Sequence, residues 1–230
     1  LSIAVVGATG AVGQEFINIV ETRYPKANNL RLLASERSAG KIISVNGKDL
    51  KVEETTEDSF KGIDVAFISV SSEISHKFAP IAVSSGAVVI DDGSAFRMEP
   101  TVPLVVPEVN GLDVDWHQGI ISIPNCSTTP LVMVAHPLRQ LSPLVRVIAD
   151  TYQSVSGTGK SAINELHEQH SQLTSNQTIS NPQVYPHQIA FNLIPQVDEF
   201  TNSDYTKEEE KIINETRKIL PVYYTHLRAH

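Results

Sequence analysis

Apolar residues in this chain follow two alternating rhythms up to about residue 90. Short runs of β-branched residues give way to stretches where apolar positions return every three or four residues. Ile3-Ala4-Val5-Val6, bounded by Gly7, has the form of a buried strand. Val12, Phe16, Ile19 and Val20 follow at helical spacing, and Leu30–Ala34 completes a strand–helix–strand unit. Ile42–Val45 and Leu50–Val52 flank Asn46-Gly47, the turn chemistry of a hairpin. A strand at Val65–Val70, a helix at Glu73–Ser84 and a strand at Ala87–Ile90 come next. The alternation predicts an α/β fold, a Rossmann-type doubly wound parallel sheet with helices on both faces.

The pattern changes after residue 125. Leu131–Leu141 reads as a helix that Pro137 should cap or kink. Val145–Tyr152 reads as a long strand, Lys160–Leu173 as a polar amphipathic helix, and residues 174–186 as a mobile loop. Thr206–Leu220 is a further helix, with Thr206 at its N-cap and glutamates in its first turns. The expected division is a nucleotide-binding domain at 1–125 and an incomplete α+β substrate and dimerisation domain at 126–220. Residues 221–230 form no clear element and read as a tail foreign to the rest.

The chain has 230 residues, 41% of them hydrophobic, and a formal net charge of -8. Its carboxylates are scattered and its 18 basic residues are spread thinly, so no footprint for nucleic acid is present. No apolar run reaches the roughly 18 residues of a membrane span. One cysteine excludes an internal disulfide and, with no secretory leader, points to the cytoplasm. Because the sequence opens on Leu1 rather than methionine, its start is expected to be processed or clipped.

Two segments carry chemistry. Gly7-Ala8-Thr9-Gly10-Ala11-Val12-Gly13 lies between a strand and a helix, where absent side chains let backbone N–H groups approach a pyrophosphate. At the end of the second strand, Ser35, Arg37 and Ser38 suit a 2′-phosphate and favour NADP, whereas Glu36 keeps NAD open. The second segment is Pro124-Asn125-Cys126-Ser127-Thr128. A thiol at a helix start meets the positive end of the helix, which favours a nucleophile. His167 and His170 lie three apart with no third ligand evident, so no metal site is read there, and Trp116 reads as packing.

Together these segments resemble aspartate-semialdehyde dehydrogenase. The likeness rests on Gly7–Gly13, Arg37–Gly40, Ser94–Arg97, Val105–Asn110, Asn125–Thr128, Thr151–Gly157, Ile189–Asn192 and Glu215–Ile219, in order along residues 1 to about 220. The resemblance implies that Cys126 is the nucleophile and that Gln153 orients the substrate. It implies that Arg97, Asn125 and Lys211 hold phosphate, and that Glu208 engages the substrate's amino group. Ser156 and Gly157 join the glycine loop in holding NADP. The implied reaction is reversible: the thiolate adds to L-aspartate semialdehyde, hydride passes to NADP⁺, and phosphate releases the thioester as aspartyl phosphate. Such enzymes feed lysine, threonine and methionine synthesis and are homodimers. Ser69–Ser72 lacks a glycine usual near the nicotinamide ribose, and Asp92-Gly93 replaces a more usual Asn-containing pair. The family also runs on past residue 220, carrying a substrate-binding arginine and a general-base histidine, so the chain as given is expected to be inactive. The alternatives are N-acetyl-glutamyl-phosphate reductase, whose cysteine lies in a glycine-containing context, and a truncated, non-catalytic dinucleotide-binding paralogue.

Overall fold

The computed structural model describes residues 1–24 and 29–220, and the backbone of 227–228. The first half runs β1 (Ser2–Val6), α1 (Ala11–Arg23), β2 (Asn29–Ala34), β3 (Ile42–Val45), β4 (Lys48–Lys51), β5 (Glu53–Glu54), β6 (Val65–Ile68), α2 (Ser72–Ser84) and β7 (Val88–Asp91). The second half adds α3 (Pro107–Asn110), β8 (Ile120–Ser122), α4 (Thr128–Leu141), β9 (Val147–Ile148), α5 (Lys160–Thr174), α6 (Lys207–Ile219) and β10 (Leu227–Arg228).

Six strands form one sheet in the order β5-β2-β1-β6-β7-β8, with every pairing parallel. Period-two alternation splits β1 between two cores. Ala4 and Val6 pack with Ala66, Ile68, Val89 and the α2 residues Phe78, Ala79 and Ala82. Ile3 and Val5 pack on the other face with Leu32, Phe67 and Ile17 of α1. The chain leaves β1 for β2 on one side and returns to β6 on the other. The strand order therefore reverses at the carboxyl ends of β1 and β6, where doubly wound folds bind ligands.

Several expectations shift. Helix α1 buries Gly13, Ile17 and Val20, a stripe at i, i+4 and i+7, and leaves Val12 and Ile19 exposed. Phe16 stacks on Phe67 with ring centroids 4.0 Å apart. The hairpin forms with Asn46 and Gly47 both at positive φ, but its second strand starts earlier, at Lys48. Pro137 lies inside α4 without ending it. The long strand expected at Val145–Tyr152 shrinks to two residues, because Val145 and Tyr152 are exposed and, among the described residues, only β10 pairs there. Trp116 is half exposed rather than packed away. The 174–186 stretch is irregular but tied down: the Glu165 carboxylate accepts from the N–H groups of Gln183, Val184 and Tyr185. Leu227-Arg228 pairs with β9, and the rest of the 221–230 tail lies outside the described residues. Among the described residues no helix is long and apolar enough to cross a membrane.

Candidate active site

The glycine loop sits at the switch point. Gly7 adopts φ +92°, and a Cβ there would meet the Ser69 carbonyl oxygen at 2.2 Å. A Cβ at Gly13 would lie 2.2 Å from the Gly7 carbonyl oxygen. Glycine is thus required twice, once for backbone sign and once for close approach. Gly10 precedes α1 with no side chain capping it, leaving the first-turn N–H groups to a ligand. At the end of β2, Ser35 and Arg37 are exposed, whereas Ser38 is buried. Ser69 donates to Asp92 Oδ2 at 3.0 Å beside this loop. Ser156 and Gly157 lie in an exposed turn at 155–158, stabilised by Ser154. Among the described residues no hydrogen bond joins that turn to the glycine loop.

Cys126 is exposed at the start of α4. The Asn125 carbonyl accepts from Thr129 N at 3.1 Å. Its side-chain oxygen accepts from Ser127 N at 2.8 Å. These two bonds close a turn just ahead of α4, whose N-cap is Ser127, and set the thiol immediately before the positive end of the helix.

A carboxylate organises what surrounds Asn125. Glu208, on the first turn of α6, is only 7% exposed. Its Oε1 accepts from Asn125 Nδ2 at 3.0 Å and from Gln153 Nε2 at 3.1 Å. Its Oε2 faces Lys211 Nζ at 3.4 Å. Gln153 also donates to Ser127 Oγ at 2.9 Å, reaching the residue after the thiol. Four of the residues singled out in sequence therefore form one network around the Cys126 turn. Arg97 joins from beneath: it is 8% exposed and pairs with Glu215 at 3.1 Å. Its Nε donates to Ile123 O and its Nη2 to Asp92 O. Arg97 and Lys211 both line an open groove of about 250 Å³ between the 94–98 loop and α6.

The helix that delivers Glu208 and Lys211 is well specified. Thr206 and Glu209 form a reciprocal capping box, with Thr206 N donating to Glu209 Oε2 at 2.6 Å and Glu209 N to Thr206 Oγ1 at 3.2 Å.

Family models match both halves. Semialdehyde dehydrogenase, NAD binding domain, covers residues 2–117, and Semialdehyde dehydrogenase, dimerisation domain, covers residues 136–228. The crystal structure of aspartate semialdehyde dehydrogenase II complexed with ASA, from Vibrio cholerae, superposes with a TM-score of 0.94 at 40% identity. The match covers 99% of this chain and 68% of that one. The chain belongs to the aspartate-semialdehyde dehydrogenase family. The aspartate-semialdehyde dehydrogenase of Bacillus subtilis is 46% identical over 227 residues, 96% of this chain. The chain spans 65% of the length of that relative. The Candida albicans aspartate semialdehyde dehydrogenase with NADP matches at 25% identity and a TM-score of 0.70, over 99% of this chain and 66% of its own.

Three residues of this family member escaped sequence reasoning. Glu215 accepts from Asn125 N at 2.6 Å while pairing with Arg97. Asp198, at φ +67°, pairs with Lys211 at 2.8 Å. Burial pushes the Asp198 carboxyl up, but Lys211 and the Glu199 N–H outweigh it and hold it below the usual range. Burial likewise opposes the Lys211 charge, yet Asp198 and Glu208 keep that ammonium above its ordinary value. Lys218 donates to the carbonyls of Arg97, Glu99 and Val102, pinning the loop that carries Arg97. One signal was available: residues 208, 211, 215 and 218 share a helix face by spacing.

Proposed function

We propose that the protein is an aspartate-semialdehyde dehydrogenase acting through a cysteine thioester, with NADP as cofactor. The observation that carries this reading is the Glu208 network closing around the Cys126 turn. The glycine cradle fits a dinucleotide: Gly7 and Gly13 let the strand–helix turn close so tightly that a Cβ at either would sit 2.2 Å from a carbonyl oxygen, and the first-turn N–H groups of α1 have no side-chain cap competing for them. NADP, when bound, supplies the hydride acceptor. Arg37, exposed and held by no ion pair among the described residues, is suited to the 2′-phosphate.

In this reading Cys126 attacks the aldehyde carbon of L-aspartate semialdehyde, and phosphate later displaces the thiol to give aspartyl phosphate. Gln153 holds the substrate against the thiol turn. Glu208 takes the substrate ammonium, the natural partner for a carboxylate. Arg97, Asn125 and Lys211 hold the phosphate. Arg97 keeps two N–H bonds beyond the three it uses internally, and Lys211 adds charge from across the groove. Residues 1–125 form the nucleotide unit and 126–220 the substrate and dimerisation unit. The protein works as a cytoplasmic homodimer in lysine, threonine and methionine synthesis. Two solved relatives, one complexed with ASA and the other with NADP, support this choice of substrate and cofactor.

The test is phosphate-dependent NADP⁺ reduction with aspartate semialdehyde by the full-length gene product. Activity that disappears in Cys126→Ala is expected. Activity that survives it overturns the mechanism.

A further inference from the structure

We propose that Glu215 is the positioning residue of this site, fixing the nucleophile turn and the Arg97 guanidinium with a single carboxylate; the proposal rests on the acyl-phosphate reading above. Glu215 is 1% exposed, and its two oxygens serve two different elements. Oε1 accepts from Arg97 Nη1 at 3.1 Å, and Oε2 accepts from the backbone N–H of Asn125 at 2.6 Å. Asn125 is the residue immediately before Cys126, and its two oxygens hold the turn that leads into α4. One side chain of α6 therefore bears on both partners of the reaction, the thiol turn and a phosphate-binding cation.

The chemistry of the pair explains why a carboxylate is needed. Arg97 is buried, and an uncompensated guanidinium there would be driven to reorient toward water. Glu215 neutralises it, while Ile123 O and Asp92 O fix the direction of the remaining fork. An amide at position 215 could accept from one partner only and would turn an N–H toward the other. The effect passes through Arg97 and the Asn125 backbone, not through contact with substrate.

The experiment follows the alkylation rate of Cys126 by iodoacetamide, with and without inorganic phosphate, in wild type, Glu215→Gln and Glu215→Asp. NADP affinity, set by the glycine cradle, is the parallel readout. In wild type, phosphate slows alkylation. In Glu215→Gln, the half-protecting phosphate concentration rises about tenfold, the loss of one charge-assisted hydrogen bond. The alkylation rate without phosphate also changes, while NADP affinity stays within about twofold. Glu215→Asp, which keeps the charge with a shorter reach, falls between the two. If Glu215→Gln fails to fold, Glu215→Asp decides: its shorter side chain cannot span both partners, and a several-fold rise in the half-protecting phosphate concentration is expected. Wild-type phosphate dependence and alkylation rate in Glu215→Gln, or in Glu215→Asp where the former does not fold, overturn the proposal. So does a parallel loss of NADP affinity, which marks a general structural role. If wild type itself shows no phosphate protection, the acyl-phosphate reading fails separately, and the phosphate-free alkylation rate alone decides the role of Glu215.

Discussion

Asn125 Nδ2 donates to Glu208 Oε1 at 3.0 Å across 83 positions of sequence, joining the residue before the thiol to the first turn of α6. Because Gln153 donates to the same oxygen, one carboxylate satisfies two amide groups. Glu208→Ala strands the buried Asn125 amide, whereas Gln153 keeps its bond to Ser127 Oγ. Unfolding free energy is expected to fall by about 2 kcal/mol, read by urea denaturation. Glu208→Gln keeps an acceptor and should cost less stability, yet raise KM for the aminated substrate about tenfold through the lost charge.

Gly13→Ala tests the cradle. Its methyl group would sit 2.2 Å from the Gly7 carbonyl, so the loop must open to admit it. NADP affinity is expected to fall more than about tenfold, measured by titration calorimetry. Unchanged affinity would place the cofactor elsewhere.

Arg37→Ala separates the two nicotinamide cofactors. NADP binding should weaken by about tenfold, the size of one charge-assisted contact, while NAD binding changes little. Equal losses for both would remove Arg37 from the 2′-phosphate.

Asp91 gives a pH signature. It is fully buried on the α2 face of the sheet; among the described residues no well-formed hydrogen bond reaches its carboxyl oxygens, and the nearby Ser75 hydroxyl, Arg97 guanidinium and Gly93 N–H only partly offset the burial. Burial raises its pKa above the ordinary carboxylate value. The folded state therefore holds this proton more tightly than the unfolded chain. Its favourable contribution is complete below the unfolded pKa near 3.8 and is lost as pH rises through the raised value. Asp91→Asn removes that loss. Its melting temperature should exceed wild type at pH 7, with the gap narrowing toward pH 4. A gap independent of pH would contradict the assignment.

Much of this was legible in the chain because local rules decided it. Asn46-Gly47 announced its hairpin, Thr206 its N-cap, and Gly7–Gly13 its place between strand and helix. Cys126 stood out because a lone thiol at a helix start has few packing reasons to be there. What stayed hidden depends on tertiary partners. Glu215 is one more glutamate on a charged amphipathic helix until the fold brings Arg97 and Asn125 to it. The Val145–Tyr152 run has strand-like composition, but a strand requires a neighbour along its length, and here only two residues find one. In α1 the apolar residues span more than one face, so spacing alone could not say that Ile17 would be buried and Ile19 exposed.

The most direct measurement is to mix the full-length protein with aspartate semialdehyde and NADP⁺ in the absence of phosphate, quench in acid, and map covalent adducts by peptide mass spectrometry. A β-aspartyl acyl group on the Cys126 peptide, removed when phosphate is added before the quench, is the predicted result. NADPH formed with Cys126 unmodified, or an acyl group carried on another residue, would contradict the account.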